Sequence, residues 1–99
     1  MFIVAEDNGQ VIGYVPGRPM KGGSAYLSLL AVDARMRGRG LGKLLVDSFL
    51  RRCIAKNIFF VFLFAPSFNE RSLKFYRAIG FEQGREHLEF GIHLEETSP

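Results

Sequence analysis

One segment of this chain is apolar at every position, and it limits the folds open to the rest. Residues 58 to 64 read Ile-Phe-Phe-Val-Phe-Leu-Phe, which is typical of a strand covered on both faces. The run is far shorter than the about 20 residues that a membrane-spanning helix needs. Apolar residues recur at three- and four-residue steps from Gly40 to about Lys56, which predicts a helix before the strand. A strand reached through a helix is expected to pair in parallel with an earlier strand, through a right-handed crossover.

Three short strands are predicted ahead of that helix. Phe2–Ala5 and Gln10–Val15 flank an Asn-Gly dipeptide, which favours a tight antiparallel hairpin. Residues 16–24 contain two prolines and three glycines, and we expect them to form a loop. The third strand is predicted at Ala25–Val32.

The C-terminal part is predicted to hold a second helix and two more strands. Ser67 fits the N-cap of this helix, with Glu70 as its capping partner, and Gly80 provides its C-terminal stop. The last strands are expected at Phe81–Arg85 and His87–Leu94. The fold class is therefore α/β (α+β): a mixed, mostly antiparallel sheet in the order β-β-β-α-β-α-β-β, with helices on its faces and a central β-α-β crossover.

Length and composition narrow the class of protein further. Ninety-nine residues predict a single domain spanning 1–99. The single cysteine, Cys53, leaves no internal disulfide framework and no cysteine-rich zinc site, so we expect it to serve in packing and expect no metal. No basic region leads into an apolar stretch at the N-terminus, so a cytoplasmic location is expected. Six cations lie from Arg35 to Arg52 against one anion, Asp47, which predicts one anion-attracting patch.

Glycines alternate with other residues where the third strand gives way to the first helix. Residues 37 to 43 read Arg-Gly-Arg-Gly-Leu-Gly-Lys. Glycine lets a backbone approach a ligand closely, and the first amides of a helix lack internal partners and lie at the positive end of its dipole. The segment therefore predicts a phosphate site, with a solvated arginine-rich turn as the alternative. Lys43 stands where the dinucleotide fingerprint needs its third glycine, and no Gly-Lys-Ser/Thr ending is present, which excludes both common nucleotide-binding loops.

Two motifs in this order resemble those of the GNAT superfamily of acyl-CoA-dependent N-acyltransferases. Residues 37 to 42 match its Arg/Gln-x-x-Gly-x-Gly/Ala pattern. Asn69, followed by Tyr-Arg-Ala-Ile-Gly-Phe at 76 to 81, is similar to its Asn…Tyr-x-x-x-Gly-Phe signature. Residues 29–33 are similar to its fourth strand. The match covers nearly the whole chain, from the family's second strand to its last.

The resemblance implies a role for each matching residue. Acetyl-CoA would be the acyl donor, and the main chain of Leu30 and Val32 would pair with its pantetheine arm. Asn69 would hydrogen-bond that arm, or serve only as a structural residue at the helix start. Tyr76 would be the general acid that protonates the departing thiolate, or a packed aromatic residue. The residues implied around the CoA pyrophosphate are Arg37, Gly38, Arg39, Gly40, Leu41, Gly42 and Lys43.

The same resemblance describes the place of reaction. Family members splay the fourth and fifth strands, so Val32 and Phe64 should mark a V-shaped opening. The amine would attack the thioester directly, with a backbone N–H near Val32 polarising the carbonyl group. Strand alternation would put Tyr26, Ser28, Leu30 and Val32 on one face.

The general base is where the sequence departs from the family. Some relatives carry Glu or His at the place of Tyr26 or Ser28, and neither residue here is a competent base at neutral pH. Proton removal would then go through ordered water, with Tyr26 and Ser28 as relays. His87, Glu89 and His93 are alternatives that are expected to face solvent.

A further departure concerns the cover of the sheet. Relatives begin with a strand and two helices before the segment that resembles residues 2–15, and residues 1–99 leave no room for them. Even one helix per face would leave part of the apolar strand bare, and exposed patches above a few hundred Å² usually signal association. We therefore expect a homodimer, or a partner chain that covers the exposed sheet face.

Three functions follow from these features. The first is an N-acyltransferase that moves an acetyl or other short acyl group from acyl-CoA to a primary amine. The second is a catalytically inactive CoA-binding module with a regulatory or interaction role, which the missing base favours. The third, nucleic-acid binding through residues 35–52, would need interleaved aromatic residues that this segment lacks, so neither nucleic acid nor membrane is an expected partner. The sequence does not specify the amine acceptor.

Overall fold

The computed structural model describes residues 1–84 and 90–94. Its elements are β1 (Phe2–Asp7), β2 (Gln10–Met20), β3 (Ser24–Leu27), β4 (Ala31–Val32), a 3-10 turn (Ala34–Met36), α1 (Leu41–Ala55), β5 (Phe60–Phe62) and α2 (Glu70–Ile79). The strands form one sheet in the order β1-β2-β3-β5, with β4 also paired to β2. All pairs are antiparallel except β3 with β5, which is parallel. The mixed, mostly antiparallel α+β class and the parallel pairing around α1 are confirmed.

Strand β2 is longer than the sequence predicts, and residues 16–24 are not a loop throughout. The strand continues through Pro16 and Pro19 to Met20, and the turn to β3 is confined to residues 21–23. Proline lacks the N–H that a ladder uses, but its carbonyl can still accept. The Pro16 carbonyl accepts the backbone N–H of Ser28 at 3.0 Å, so the strand keeps its pairing past this residue.

The predicted strand Ala25–Val32 is broken into two. β3 pairs with the second half of β2, from Gly17 onwards, whereas β4 pairs with residues 13 and 14 of the first half. Between them, both the N–H and the hydroxyl of Ser28 donate to the Pro16 carbonyl, at 3.0 and 2.9 Å. These two hydrogen bonds to one carbonyl interrupt the ladder and let the chain change direction.

The core lies between α1 and one face of the sheet. Its buried members are Val15, Ala25, Leu27, Leu45, Val46, Phe49 and Cys53. Helix α1 approaches closely because β2 has glycines beneath it: a Cβ on Gly17 would overlap the ring of Phe49. The packing role predicted for Cys53 is confirmed by its burial, and that burial raises the pKa of the thiol.

Helix α2 packs beside α1, on the same side of the sheet. A Cβ on Gly42 of α1 would lie 3.3 Å from the Phe75 ring, and Phe75, Ile79 and Phe81 pack against the core. Phe75 and Ile79 are four residues apart and therefore lie on one face of α2. The expectation of one helix on each face is wrong for the part of the chain that the structure describes, because both helices use their apolar stripes on the same core.

The apolar segment 58–64 is accordingly not covered on both faces. Only Phe60–Phe62 form a strand, and Phe60 and Phe64 are 58% and 72% exposed. Val61 and Leu63 point to the core, as alternation requires. The continuous apolar run thus reflects a core face on one side and an exposed aromatic face on the other.

The two ends of α2 differ in how well the sequence predicted them. The N-cap is Asn69 and not Ser67: its Oδ1 accepts the Ser72 N–H at 3.1 Å. The Asn69 N–H bonds to the Pro66 carbonyl, and this turn brings Asn69 directly in front of the helix, where asparagine is a favoured cap. The stop at Gly80, with φ +121°, is confirmed.

The two predicted C-terminal strands are not found in the described residues. Residues 81–84 and 90–94 are not strands, and 85–89 lie outside the described residues. After Gly80 the Phe81 N–H returns to the Tyr76 carbonyl at 3.0 Å, and Arg77 donates to Gln83 at 3.2 Å. These bonds turn the chain back onto the end of α2. Neither helix of the described residues is long and apolar enough to cross a membrane.

Candidate functional site

The glycine-rich turn before α1 is built from two residues with left-handed backbone. Gly38 and Gly40 both have φ near +79°, and a Cβ on either would meet nothing within 4 Å. Glycine is therefore required by the conformation and not by crowding, and the space beside the turn is open. Gly40 is the N-cap of α1 and has no side chain to offer, and the Leu44 N–H is the first to bond back, to the Gly40 carbonyl. The amides of residues 41–43 lie ahead of this bond, at the positive end of the helix.

The cations near this turn do not form one patch. Arg35 is held by Asp33 through two side-chain contacts of 3.1 and 3.2 Å. These hydrogen bonds lower the pKa of Asp33 and raise the pKa of Arg35. Arg51 and Arg52 lie about 15 Å further along the helix axis. The predicted patch from 35 to 52 is wrong as a single surface.

The cations at the turn itself are Arg37, Arg39 and Lys43, all with exposed side chains. Arg37 is also structural, because its Nε donates to the Val32 carbonyl at 3.3 Å. Arg39 alternates with the two left-handed glycines, and Lys43 stands in the first turn of α1. Their positive charge adds to that of the helix terminus at the same place.

The sheet parts next to this turn. β3 is paired to β5 as far as Tyr26 and Phe62, whereas β4 is paired to β2 through Ala31 and Val32. From this point on, the chain that follows β3 is paired to β2 through β4, whereas residues 63–66, which follow β5, are in no strand. The divergence lies between Val32 and Phe64, where the family resemblance predicts an opening.

The four residues predicted to share a face do not do so. Val32 pairs with Gly13, whose Cβ position faces Leu45 of α1, and both Leu30 and Val32 pack against the core. Tyr26 alternates with the buried residues Ala25 and Leu27 and so lies on the opposite face. The break at residues 28–30 is the cause, because it cancels the alternation of a continuous strand.

Tyr26 belongs to a cluster of aromatic rings on the face away from α1. Its ring stacks on Phe62 with centroids 5.3 Å apart and meets Phe64 at 5.7 Å. Phe60 extends the cluster from Phe62 at 6.3 Å. The guanidinium carbon of Arg18 lies 5.9 Å from the centre of the Tyr26 ring, a cation–π contact.

Tyr76 is half-buried between two other rings. The centroids of Phe75 and Phe81 lie 5.2 and 5.7 Å from its own, both edge to face. Burial raises the pKa of this phenol, so it keeps its proton throughout the neutral range. Its neighbour Phe75 touches Gly42, which places this turn of α2 against the first turn of α1.

The remaining candidates are placed in different ways. Asn69 uses its side-chain oxygen to cap α2, and the Ser28 hydroxyl donates to Pro16. His93 is exposed, whereas His87 and Glu89 lie outside the described residues. Among the described residues, no group of His, Cys, Asp or Glu side chains could hold a metal ion.

Sequence reasoning missed the part that Arg18, Phe62 and Phe64 play together. Alternate phenylalanines at 60, 62 and 64 were a signal for a one-sided aromatic face, but the apolar residues between them made the whole segment read as core. Arg18 lay within a stretch interpreted as a loop, so its register opposite Tyr26 could not be inferred.

The fold and the turn together define a class of protein: a mixed sheet that parts beside a glycine-rich helix N-terminus with exposed cations. Residues 1–81 match the model of the Acetyltransferase (GNAT) family, and the chain belongs to that family.

Solved structures agree on the fold. The chain is similar to the aminoglycoside acetyltransferase meta-AAC0020 from an uncultured soil metagenomic sample, with TM-score 0.84 and 23% identity over 95% of this chain and 65% of that one. It is also similar to the aminoglycoside N-acetyltransferase AAC(6')-Iy, solved with CoA, with TM-score 0.80 and 21% identity over 94% and 75% of the two chains. Ard1 from Thermoplasma volcanium is 33% identical, with TM-score 0.80 over 85% of this chain and 57% of that one. The chain thus spans about two thirds of the length of the first of these neighbours.

Proposed function

We propose that this protein transfers an acetyl or other short acyl group from acyl-CoA to a primary amine, within a ternary complex. The observation that carries the proposal is the turn at Gly38 and Gly40. Two left-handed glycines leave open space in front of amides that have no partner within α1, beside the exposed cations Arg39 and Lys43. This arrangement fits the diphosphate of coenzyme A, and the family match supports it.

The pantetheine arm of the donor would run from this turn toward the divergence of the strands. Leu30 lies between β3 and β4, so its backbone is outside both ladders and can pair with an extended ligand. The Val32 carbonyl already accepts from Arg37, which fixes the neighbouring backbone in place. Asn69 combines two roles in this proposal, because its oxygen caps α2 while its amide nitrogen would donate to the arm.

The chemistry needs one proton delivered and one removed. The amine nitrogen attacks the thioester carbon, a C–N bond forms, and the C–S bond breaks to release the CoA thiolate. Tyr76 donates its phenolic proton to that thiolate. Burial raises the pKa of this phenol, so the proton to be donated is present at neutral pH. The proton of the amine leaves through water, for which the hydroxyl groups of Tyr26 and Ser28 are the proposed relay.

Turnover of acetyl-CoA with a panel of primary amines, followed as free thiol, tests this function. We expect release of CoA that depends on the amine, and a rate lower by about 100-fold or more for Tyr76→Phe. The matched control is Tyr14→Phe, a tyrosine stacked on Phe2 at 5.7 Å in the β1–β2 part of the sheet. Equal loss in both variants would remove Tyr76 from the mechanism.

The second candidate is a CoA-binding module without activity. It is favoured by one observation: the places at which some relatives carry a base hold Tyr26, stacked in an aromatic cluster, and Ser28, bonded to Pro16. Binding of coenzyme A without turnover of any amine would select this reading.

We further propose that the protein associates, as a homodimer or with a partner chain, through the β1 end of the exposed sheet face. At the β1 end of that face Phe2 and Val4 are 54% and 43% exposed. Single exposed side chains are ordinary, but contiguous apolar area of this kind marks association. Light scattering at micromolar concentration should give a mass above that of the 11.2 kDa chain, and a particle of that mass alone would contradict the proposal.

A further inference from the structure

We infer that the rings of Tyr26, Phe62 and Phe64, with Arg18 beside them, form the acceptor-binding surface, and that this surface selects an amine carried on an aromatic group that also bears an anion. The inference rests on the proposed acyl transfer. We call these four residues the aromatic patch.

The aromatic patch is a continuous surface and not a scatter of exposed residues. In the register of the sheet, Arg18, Tyr26 and Phe62 are direct cross-strand neighbours on β2, β3 and β5. Phe64 then meets both Tyr26, at 5.7 Å, and Phe62, at 6.0 Å. Tyr26 stacks on Phe62, and the Arg18 guanidinium lies over the Tyr26 ring, so on the side away from α1 and α2 these rings present their edges. Ring edges suit edge-to-face contact with an aromatic ligand.

The aromatic patch adjoins the place where the thioester would lie. Phe64 marks one side of the divergence between the ladders, and the row containing Arg18 lies two residues back along the strands. Two residues of strand cover about 7 Å. A ligand ring that lies across Phe64 and Tyr26 therefore has the divergence at one end and the Arg18 guanidinium, which lies over the Tyr26 ring, at the other.

The charge of this surface excludes one class of acceptor. Residues 16–28 and 58–66, which form this part of the sheet, contain no Asp or Glu, and their cations are Arg18 and Lys21. The neighbouring acetyltransferase meta-AAC0020 was solved with sisomicin, an aminoglycoside. Aminoglycosides are polycations at neutral pH, and such a ligand would find repulsion and no counter-ion on the aromatic patch.

The same charge favours a particular occupant. Arg18 presents a planar set of donors that suits a carboxylate. The guanidinium lies over the Tyr26 ring, on the side opposite Phe62, where an anion at the far end of an aromatic ligand would meet it. The acceptor is therefore an amine at one end, an aromatic ring in the middle and a carboxylate at the other end.

The probe for this class is 4-(2-aminoethyl)benzoate, compared with phenethylamine, which lacks the carboxylate, and with sisomicin. Binding is measured without coenzyme A, from the backbone amide shifts of Tyr26, Phe62 and Phe64 in a ¹⁵N-labelled sample. We expect the benzoate to shift these amide resonances with the lowest dissociation constant of the three compounds. Its dissociation constant should be about two- to fivefold below that of phenethylamine, because an exposed ion pair contributes little more. Sisomicin should leave them in place.

Two variants and one control separate the contribution of the aromatic rings to ligand binding from that of the Arg18 charge. Arg18→Gln should remove the advantage of the benzoate over phenethylamine and leave phenethylamine unchanged. Phe64→Leu should weaken both aromatic amines. Phe59→Leu removes an exposed aromatic side chain of the same segment that lies outside the patch, and it should alter neither. Thermal unfolding of each variant verifies that it is folded.

The outcomes distinguish this inference from the proposed function. If neither aromatic amine moves the amides of the patch, or if sisomicin binds there as well as the benzoate, the inference is wrong, even where coenzyme A binds and other amines are acetylated. If the benzoate binds as described but the amides of Gly38 and Gly40 ignore coenzyme A, the proposed acyl transfer fails while the aromatic patch stands as a binding surface.

Discussion

The two faces of the sheet are built from the same strands, but one is buried by helices and the other is exposed. On one face Val15, Ala25 and Leu27 are buried, because α1 and α2 close over them with Phe49 at the centre. On the other face the ring of Tyr26 stacks on Phe62, and Phe64 meets both rings at an angle and remains 72% exposed. The first face has the composition of a core that holds the fold together. The second face has aromatic rings that the described residues do not fully bury, as is expected of residues that bind a ligand or a partner.

The largest expected effect tests this separation directly. Phe49→Ala would remove a fully buried ring and should lower the free energy of unfolding by about 3–5 kcal/mol, from the lost burial and the cavity left behind. Phe64→Ala, on the exposed face, should change it by no more than about 0.5 kcal/mol. Urea denaturation followed by circular dichroism measures both. A cost for Phe64→Ala close to that of Phe49→Ala would show that the second face also supports the fold.

An intermediate effect separates folding from binding at the glycine turn. Gly40 and Gly22 have the same left-handed φ, near +80°, and a Cβ on either meets nothing within 4 Å. Replacing either glycine by alanine therefore introduces the same backbone strain, about 1–2 kcal/mol, without a steric clash. Gly22 lies in the turn between β2 and β3, so Gly22→Ala is the matched control for Gly40→Ala.

The two glycine variants should lose similar stability, measured as the midpoint of thermal unfolding. Only Gly40→Ala should also lower the affinity for coenzyme A, measured by isothermal titration calorimetry at fixed salt. Equal affinity in the two variants would mean that the turn before α1 is a structural turn and no more.

The smallest expected effect is the pH response of Asp33, at the junction of β4 and the glycine-rich segment. Hydrogen bonds from Arg35 hold the pKa of Asp33 below its ordinary value of 3.8. Because the folded-state pKa is the lower one, the stabilisation is present above the ordinary pKa and is lost as the pH falls through the folded value. Since the pair is exposed, salt should weaken the effect.

Carboxyl ¹³C shifts titrated between pH 2 and pH 6 measure this pKa. In Arg35→Gln the midpoint should rise toward the ordinary value. An unchanged midpoint would assign the shift to some group other than Arg35.

Local signals in the sequence predicted the parts of the fold that depend on local physics. Helix α1 begins and ends within about a residue of its predicted bounds, since both its apolar spacing and its glycine start are encoded within the segment. The same holds for the glycine-rich turn, because Gly40 and Gly42 stand at the glycine positions of the family motif. The donor side of the candidate site is made of backbone at fixed spacing, and such a pattern can be read without the rest of the fold.

The acceptor side could not be predicted in the same way, because it depends on which elements meet. Pro16 and Pro19 favoured a loop prediction, yet they lie in β2. The Pro16 carbonyl still accepts a hydrogen bond from Ser28, so the missing proline N–H does not end the strand. That choice concealed the register of Arg18 with Tyr26. The break at Ser28 then separated Tyr26 from Val32 across the sheet, and no local pattern marks it.

The most direct test of the account is a titration of the ¹⁵N-labelled protein with coenzyme A up to millimolar concentration. Amide resonances of Gly38, Gly40 and Gly42 should shift together with those of Leu30 and Val32. The resonance of Gly22, which has the same left-handed φ in the turn between β2 and β3, should not shift. No shift at the three glycines at saturating ligand, or equal shifts at Gly22, would contradict the claim that this helix N-terminus binds the acyl donor.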